Sequence, residues 1–328
     1  MKDLRTIIAQ HPFLLGMTPE HLEIIARHAR AVEFNLGQVI VRESDAAYEF
    51  FLLLDGEVAV ESYIPRADNL PLQTLGVGEV LGWSWLFPPF TWHFQARAVA
   101  PTKAVLVDGA RLLLACEKDF DFGFEMMRRI AHVVTKRLQI TRKLLVEMSS
   151  TIGSLAPFEE AFSHHDAPAV AGKLPELLAE HPFVKGVKPD HFKVLLDCAM
   201  ERDFAAGEEI FGEGEVANRF YLIQRGKVIL EASTAGTKVP IQVISDGDVL
   251  GWSWLFEPFY WRFDARAITP TKSIFLFGTR LREHCEADHQ FGCELMKRAA
   301  RVLIQRLQAT RKQLLAARES ITRSQAKA

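Results

Sequence analysis

Gly82-Trp83-Ser84-Trp85-Leu86-Phe87, followed by Trp92, returns later in the chain as Gly251-Trp252-Ser253-Trp254-Leu255-Phe256, followed by Trp261. The two copies hold all 6 tryptophans, and each residue of the second copy lies 169 positions after its partner. Matched residues nearer the N-terminus are 170 positions apart. The chain therefore contains two copies of one repeat, and the change of offset indicates that the second copy has lost one residue in a loop.

The composition is that of a globular protein. The 328 residues are 48% hydrophobic and 24% charged, which is enough for two cores of ordinary size. A formal net charge of -2 provides no general attraction to nucleic acid or to an anionic membrane. No apolar stretch approaches the roughly 18 residues of a membrane span, and the N-terminus lacks the apolar segment of a secretion signal. We therefore expect a cytoplasmic protein with no membrane association.

Each repeat divides into three parts. In the first repeat, two short helices are predicted over residues 4–13 and 20–29, and Thr18 fits the N-cap of the second. Short strand-like runs between residues 31 and 107 are then separated by glycine, proline and Asp-Gly turns, which is typical of a barrel or sandwich. Apolar residues at alternating spacings of three and four predict long helices over residues 122–148 and 291–317.

This pattern sets the expected domain boundaries. A first domain is predicted over residues 1–148 and a second over residues 174–318, with a linker over 149–173 and a polar tail over 319–328. The linker is rich in Ser, Gly, Pro and Ala and has no periodicity. So few residues follow the second long helix that we expect no helix-turn-helix domain after it.

Catalytic and metal-binding patterns are missing from the sequence. The four cysteines form no CxxC pair, have no metal-like spacing with histidine, and are best interpreted as small buried side chains: Cys116, Cys198, Cys285 and Cys293. The recurring histidines of the His-Pro-Phe phrases fit capping or surface roles. No P-loop, GxGxxG motif or recurring nucleophile with a base is present, so we expect a protein that is not an enzyme.

Several motifs resemble those of one known family. The first repeat contains Gly37-Gln38-Val39-Ile40-Val41 and Gly78-Glu79-Val80-Leu81-Gly82, and the second contains Gly207-Glu208-Glu209-Ile210-Phe211 and Phe220-Tyr221-Leu222-Ile223. In order and spacing these motifs resemble the cyclic-nucleotide-binding domain of catabolite-activator-type regulators and kinase regulatory subunits. The resemblance covers nearly all of the chain except linker and tail. It implies a mainly β (α+β) fold with two jelly-roll β-barrels, each with N-terminal helices and a long C-terminal helix.

The resemblance also identifies the ligand positions. In the family, a glutamate directly after the glycine equivalent to Gly82 binds the ribose hydroxyl, and an arginine nine residues further on neutralises the cyclic phosphate. Trp83 and Trp252 occupy the glutamate positions, and Trp92 and Trp261 occupy the arginine positions. Each lost charge-assisted hydrogen bond costs roughly 1.5–3 kcal/mol. Two losses would weaken nucleotide binding by about two to four orders of magnitude, so we expect cyclic AMP and cyclic GMP not to be ligands.

The tryptophans leave two interpretations open. In one, the indoles fill an abandoned pocket with apolar bulk. In the other, they stack on a planar ligand such as a nucleotide or dinucleotide, while backbone N–H groups of the turn hold its phosphate. The candidate ligand-binding residues are Gly82, Trp83, Ser84, Trp85, Trp92, Gly251, Trp252, Ser253, Trp254, Trp261 and Arg262.

Three of these candidates are polar and have structural alternatives. Ser84 and Ser253 fit the N-cap of a short helix as well as a ligand hydroxyl contact. Arg262 lies one position past the family's arginine. Strand alternation, however, puts Arg262 with Arg266 on the face opposite Trp261, which favours a solvated surface over an anion site.

The sequence therefore predicts a non-catalytic regulatory or adaptor protein that acts through protein partners. A multi-subunit redox enzyme is one partner suggested by analogy. The long helices are expected to pair, either within one chain as a pseudo-dimer or between two chains. The alternative function is a catabolite-activator-type transcriptional regulator that responds to a cyclic nucleotide. Against it, we expect no specific recognition of DNA, because the basic residues fit the polar side of an amphipathic helix.

Overall fold

The structure is a computed structural model, and it describes residues 3–64, 69–152, 158–160, 171–234 and 237–325. The chain forms two compact units, Met1–Thr141 and Arg142–Ala328, which we call unit 1 and unit 2 and describe separately. The division falls inside a long helix rather than at residue 148, where the sequence had placed the end of the first domain.

Unit 1 begins with two short helices, α1 (Leu4–Gln10) and α2 (Pro19–Ala26). The Thr18 hydroxyl accepts a hydrogen bond from the backbone N–H of His21 at 3.3 Å, and Pro19 occupies the first helical position. Both features match the predicted start of this helix, since proline at this position has no N–H to leave unpaired.

A β-barrel follows in unit 1. Its strands are β1 (Ala29–Phe34), β2 (Val39–Val41), β3 (Glu49–Asp55), β4 (Val58–Ser62), β5 (Leu70–Leu75), β6 (Val80–Leu81), β7 (Gln95–Ala98) and β8 (Thr102–Asp108). They form two antiparallel sheets, in the orders β1-β8-β3-β6 and β2-β7-β4-β5. Apart from β4 and β5, neighbouring strands in each sheet are not consecutive in sequence, as in a jelly roll. Helices α3 (Gly109–Lys118) and α4 (Phe120–Ile152) complete the repeat.

Unit 2 repeats this arrangement. Its helices are α5 (Leu174–Glu180), α6 (Pro189–Asp197), α7 (Gly278–Ala287) and α8 (His289–Gln325). Its repeated strands are β10 (Ala199–Phe204), β11 (Glu209–Phe211), β12 (Arg219–Arg225), β13 (Val228–Thr234), β14 (Thr237–Ile244), β15 (Val249–Leu250), β16 (Asp264–Ala267) and β17 (Thr271–Phe277). One sheet has the order β10-β17-β12-β15, and the other contains β11-β16-β13-β14. The expected pair of jelly-roll barrels with long C-terminal helices is confirmed.

Two segments differ from the sequence expectation. Strand β9 (Phe158–Glu160), within the predicted linker, pairs in parallel with β14 and extends that sheet to five strands. Helix α8 continues to Gln325, through most of the residues predicted to form a polar tail. Residues 153–157, 161–170 and 326–328 of the linker and tail lie outside the described residues.

Each repeat has a buried histidine at the equivalent position, His11 in unit 1 and His181 in unit 2. The rings of His11 and His181 accept hydrogen bonds from the backbone N–H groups of Phe13 and Phe183, so capping, one of the two expected roles, is confirmed. Their exposed fractions of 3% and 0% show that they are not surface residues. All four cysteines are free and buried, as predicted.

Burial of His181 makes the stability of unit 2 depend on pH. Burial lowers the pKa of the His181 imidazole to about 4, and the backbone carbonyls of Ile223 and Asp248 oppose this only partly. As pH falls from about 6.5 toward 4, the unfolded chain binds a proton that the folded chain does not, so the free energy of unfolding decreases. The loss should reach about 3 kcal/mol by pH 4.

Urea denaturation at pH 7 and pH 5 measures this effect. A His181→Gln variant should lose less stability than the wild-type chain over the same interval, because glutamine does not titrate. An identical decrease in both proteins would show that His181 is not the group responsible.

Candidate functional site

The site predicted from sequence is a tight turn that follows a short strand in each unit. Gly82, after β6, has a φ of 96°, and Gly251, after β15, has a φ of 89°; both values favour glycine. A single 3-10 turn comes next, Ser84–Leu86 in unit 1 and Ser253–Leu255 in unit 2. The turn whose backbone N–H groups were expected to hold a phosphate is therefore only three residues long in each unit.

The glycine and the tryptophan ten residues later fit against each other. A methyl group at Gly82 would lie 2.6 Å from Cη2 of Trp92, and one at Gly251 would lie 2.8 Å from Cη2 of Trp261. Trp92 and Trp261 are 6% and 5% exposed. The residues at the family's arginine positions are thus packed directly on the turn, and the glycine is required by that contact as well as by its φ.

Trp261 also belongs to the core of the second barrel. Its ring stacks on the ring of Phe211, with centroids 3.9 Å apart and an interplanar angle of 13°. It lies in one cluster of buried residues with Tyr221, Leu250 and Ala265. Arg262, the next residue, is exposed. Arg262 is thus exposed while the candidate tryptophans are buried, but it lies in a bend before β16 and not in a strand, so strand alternation does not explain its exposure.

The second tryptophan of each turn packs against the start of the following helix. A methyl group at Gly109, the first residue of α3, would lie 2.6 Å from Cγ of Trp85. The equivalent distance from Gly278 of α7 to Cγ of Trp254 is 3.0 Å. Trp85 and Trp254 are 1% and 0% exposed, so these two indoles are structural parts of the barrel wall.

The first tryptophan of each turn contacts different neighbours in the two units. Trp83 stacks on the ring of His93 at a centroid distance of 4.8 Å, whereas Trp252 lies 4.6 Å from the ring of Phe220. The Ser84 hydroxyl hydrogen-bonds with Nδ1 of His93 at 3.0 Å. Ser84 is the first residue of the 3-10 turn and caps no N–H group, so the predicted N-cap role is wrong.

Ser253 differs from Ser84 in its neighbours. The N-cap position of its turn is Trp252, and no side-chain cap hydrogen bond is present there, so the N-cap prediction is wrong here too. The residue equivalent to His93 is the exposed Arg262, which changes the polar partner available to the serine. Unit 2 therefore lacks the serine–histidine pair of unit 1.

Sequence reasoning missed a buried arginine beside each turn. Arg137 of α4 is 6% exposed and donates through Nη2 to the Val80 carbonyl at 2.9 Å. Arg306 of α8 is 2% exposed and donates to the Val249 carbonyl and to Asp248. Burial lowers the pKa of the Arg137 guanidinium to about 10, with Glu79 opposing the shift, so the group remains cationic at neutral pH.

A small cavity lies between the turn of unit 1 and α4. Its lining residues are Val60, Leu81, Gly82, Trp83, Ser84, Trp92, His93, Phe94, Gln95 and Arg137. It has room for about one water molecule, far less than a purine base needs. Two of the three candidate tryptophans of unit 1, Trp83 and Trp92, thus line a nearly filled space, and Trp85 does not line it.

Neither a metal site nor a membrane span is present in the described residues. No group of three or more His, Cys, Asp and Glu side chains is placed to hold a metal ion. No helix in the described ranges is both long enough and apolar enough to cross a membrane.

Comparison with known proteins shows the family. Residues 31–119 and 201–288 match the family model for the cyclic nucleotide-binding domain, and together they make up more than half of the chain. The chain therefore belongs to the cyclic nucleotide-binding domain family, in a tandem arrangement. This confirms the resemblance inferred from the turn motifs.

Individual relatives match parts of the chain. The CRP-like cAMP-activated global transcriptional regulator of Mycobacterium tuberculosis (strain CDC 1551 / Oshkosh) is 29% identical over 140 residues, which are 42% of this chain and 61% of the relative. The match thus spans about three fifths of that protein.

Solved structures with the same type of domain are also similar. A protein of Geobacter metallireducens GS-15 described as cyclic nucleotide-binding is 28% identical, with 42% of this chain and 99% of that chain covered and a TM-score of 0.38. The regulatory domain of Toxoplasma gondii PKA with cAMP is 13% identical, with 86% and 93% covered and a TM-score of 0.31.

Proposed function

We propose that this protein is a non-catalytic regulatory or adaptor protein whose two cyclic nucleotide-binding-type domains act through protein partners and do not respond to cyclic AMP or cyclic GMP. The observation that carries the proposal is the packing of Trp92 on Gly82 and of Trp261 on Gly251. These indoles stand at the family's arginine positions and occupy the space beside the turn.

The same packing favours a pocket filled by the indoles over a stacking box, that is, an open aromatic site in which the indoles stack on a planar ligand. A planar ligand needs an open aromatic face, but all six indoles are at most 8% exposed. Opening such a site would separate Trp261 from Phe211 and Trp92 from the turn. The cost of exposing apolar side chains of this size is several kcal/mol, which a nucleotide or dinucleotide would have to supply from its own contacts.

A filled nucleotide pocket favours binding to other proteins as the way in which the two domains act. We propose a stable complex with a larger assembly, with a multi-subunit redox enzyme as the first partner to test. Gentle purification of the tagged chain from its own cells, followed by native mass spectrometry, should give a complex in fixed stoichiometry. Recovery of the chain alone, without protein or small molecule, would contradict the partner proposal.

We further propose that the two long helices pair. The support is in the sequence, because both helices carry apolar residues at the same alternating spacing of three and four within one chain. Two such helices in one chain favour a pseudo-dimer within that chain. A Val134→Cys/Leu303→Cys variant should then form a disulfide within one chain, whereas bonds only between chains would contradict the pseudo-dimer.

A second candidate function is transcriptional regulation by a cyclic nucleotide. It is favoured by the similarity to the CRP-like regulator. A net charge of -2 argues against it, because DNA binding draws most of its affinity from cationic contacts with phosphates. Fluorescence anisotropy with genomic fragments at about 0.15 M salt should show only weak, salt-labile binding. Nanomolar binding to a specific site would instead support the regulator.

A further inference from the structure

In unit 2, an added strand covers one edge of the barrel. Strand β9 pairs in parallel with β14, with Phe158 opposite Gln242 and Glu160 opposite Ile244. This strand precedes the repeated part of unit 2 and extends the sheet β11-β16-β13-β14 to five strands. The edge of β14 is therefore able to accept a short extended segment from outside the barrel.

Strand β5 of unit 1 is the counterpart of β14, and it is an edge strand. It ends the sheet order β2-β7-β4-β5, and within the described ranges no strand pairs with its outer side. Thr74 of β5 is exposed, whereas its counterpart Val243, which lies opposite β9, is 6% exposed. An edge of this kind presents backbone N–H and C=O groups with which another extended chain can pair.

The two edges present the same backbone groups. Strand β5 pairs with β4 in the same register in which β14 pairs with β13, and the register shifts at the equivalent point in both pairs. The N–H and C=O groups that point away from the sheet over residues 73–75 are therefore equivalent to those over residues 242–244. The proline of each strand, Pro71 or Pro240, lies before this stretch, so it removes no donor there.

The surface just beyond β5 is more apolar than the surface beyond β14. Val77, two residues after the end of β5, is 65% exposed. Its counterpart in unit 2 is Asp246, whose carboxylate accepts a hydrogen bond from the Gly226 N–H at 2.7 Å. In unit 1, a segment that pairs with β5 and continues past its end can therefore make an apolar contact.

We infer that the outer edge of β5, at residues 73–75, binds an extended segment of a partner protein, which joins the sheet as a parallel strand. The segment contains no proline and has an aromatic residue opposite Gln73, as β9 has Phe158 opposite Gln242. A second copy of the chain does not provide this segment, because its own β9 is paired with β14. In strand addition, backbone hydrogen bonds provide affinity and side chains provide selectivity. The inference rests on the proposed function only in that the occupant is a protein.

A photoreactive peptide tests the edge directly. The probe has the sequence of residues 156–161, with benzoylphenylalanine in place of Phe158, and is irradiated with the full chain. Cross-links mapped by mass spectrometry should lie within residues 70–77. A Thr74→Pro variant should lose at least about tenfold of this cross-linking, because proline disrupts pairing at the edge, whereas Thr74→Ser should keep it. Cross-links only outside residues 70–77, undiminished cross-linking in Thr74→Pro, or no cross-link at all would overturn the inference.

Hydrogen exchange of the wild-type chain tests the same edge without a variant. In the complex obtained by gentle purification, the amides of residues 73–75 should exchange at least about tenfold more slowly than in the free chain. The equivalent amides of residues 242–244 are the internal control and should not change. Unchanged exchange at residues 73–75 in a stable complex would overturn strand addition and leave the partner proposal in place. If the chain is recovered alone, the partner proposal is contradicted, and the peptide experiment decides the edge.

Discussion

Replacing Trp261 with alanine should lower the free energy of unfolding of unit 2 by about 3–5 kcal/mol. The indole is 5% exposed, stacks on Phe211 and fills the space above Gly251, so its removal leaves a cavity that the barrel does not close. Urea denaturation followed by circular dichroism measures the change. If Trp261 instead lined an open ligand site, its truncation would remove few packing contacts, and the free energy of unfolding would hardly change.

Arg262→Ala is the matched control for this experiment. Arg262 is the adjacent residue and is exposed, so its truncation should change the free energy of unfolding by no more than about 0.5 kcal/mol. A loss below about 1 kcal/mol for Trp261→Ala, similar to that of the control, would contradict the packed pocket and restore the stacking-box interpretation.

The second large effect is expected at the buried ion pair of unit 2. Asp248→Ala leaves the Arg306 guanidinium buried without its carboxylate, which should destabilise unit 2 by about 3–5 kcal/mol. The equivalent change in unit 1, Glu79→Ala, removes a partly exposed carboxylate paired with Lys136 and should cost about 1 kcal/mol or less. The two variants are compared by their urea midpoints.

A double variant separates charge from packing in the same site. Arg306→Met combined with Asp248→Leu removes both charges and should recover most of the stability lost in Asp248→Ala, because apolar side chains of similar volume replace the pair. Equal losses for Asp248→Ala and Glu79→Ala would contradict the different burial of the two carboxylates, which are 1% exposed in Asp248 and 32% exposed in Glu79.

Most of the fold could be predicted because it is encoded locally. The repeat offset identifies two copies, Thr18 and Pro19 mark a helix start, and alternating runs between glycine turns mark the strands. Strand β9 could not be predicted because three residues gain their structure from pairing with β14, which is remote in sequence. The end of α8 was missed because a polar segment without an apolar stripe gives no helical periodicity.

The candidate site was predicted in position but less well in its contacts. The tryptophans do surround one turn in each unit, yet their burial depends on contacts with Gly109, Phe211 and Gly278 that no local pattern reveals. The partner of Ser84 is His93, nine residues away on another segment. Such pairings are decided by tertiary packing.

The buried arginines were missed for a different reason. Arg306 was assigned to the polar side of an amphipathic helix, where charged residues usually lie, and Arg137 was not singled out. A signal was available, since Arg306 lies 169 positions after Arg137, the same offset that separates the matched tryptophans. Each arginine directly precedes a leucine of the apolar stripe, Leu138 or Leu307. A charged residue that recurs next to an apolar stripe is a candidate for a buried, functional position.

Titration of the full chain with cyclic AMP tests the central claim most directly. Every tryptophan lies either in one of the two turn motifs or, as Trp92 and Trp261 do, against its glycine, so intrinsic fluorescence reports on both sites at once. Binding of a nucleotide would have to displace Trp92 or Trp261 from its turn glycine. We predict no change in emission and no calorimetric heat at micromolar cyclic AMP, with a cAMP-activated relative as the positive control. Saturable micromolar binding, with a change in tryptophan emission, would contradict the account.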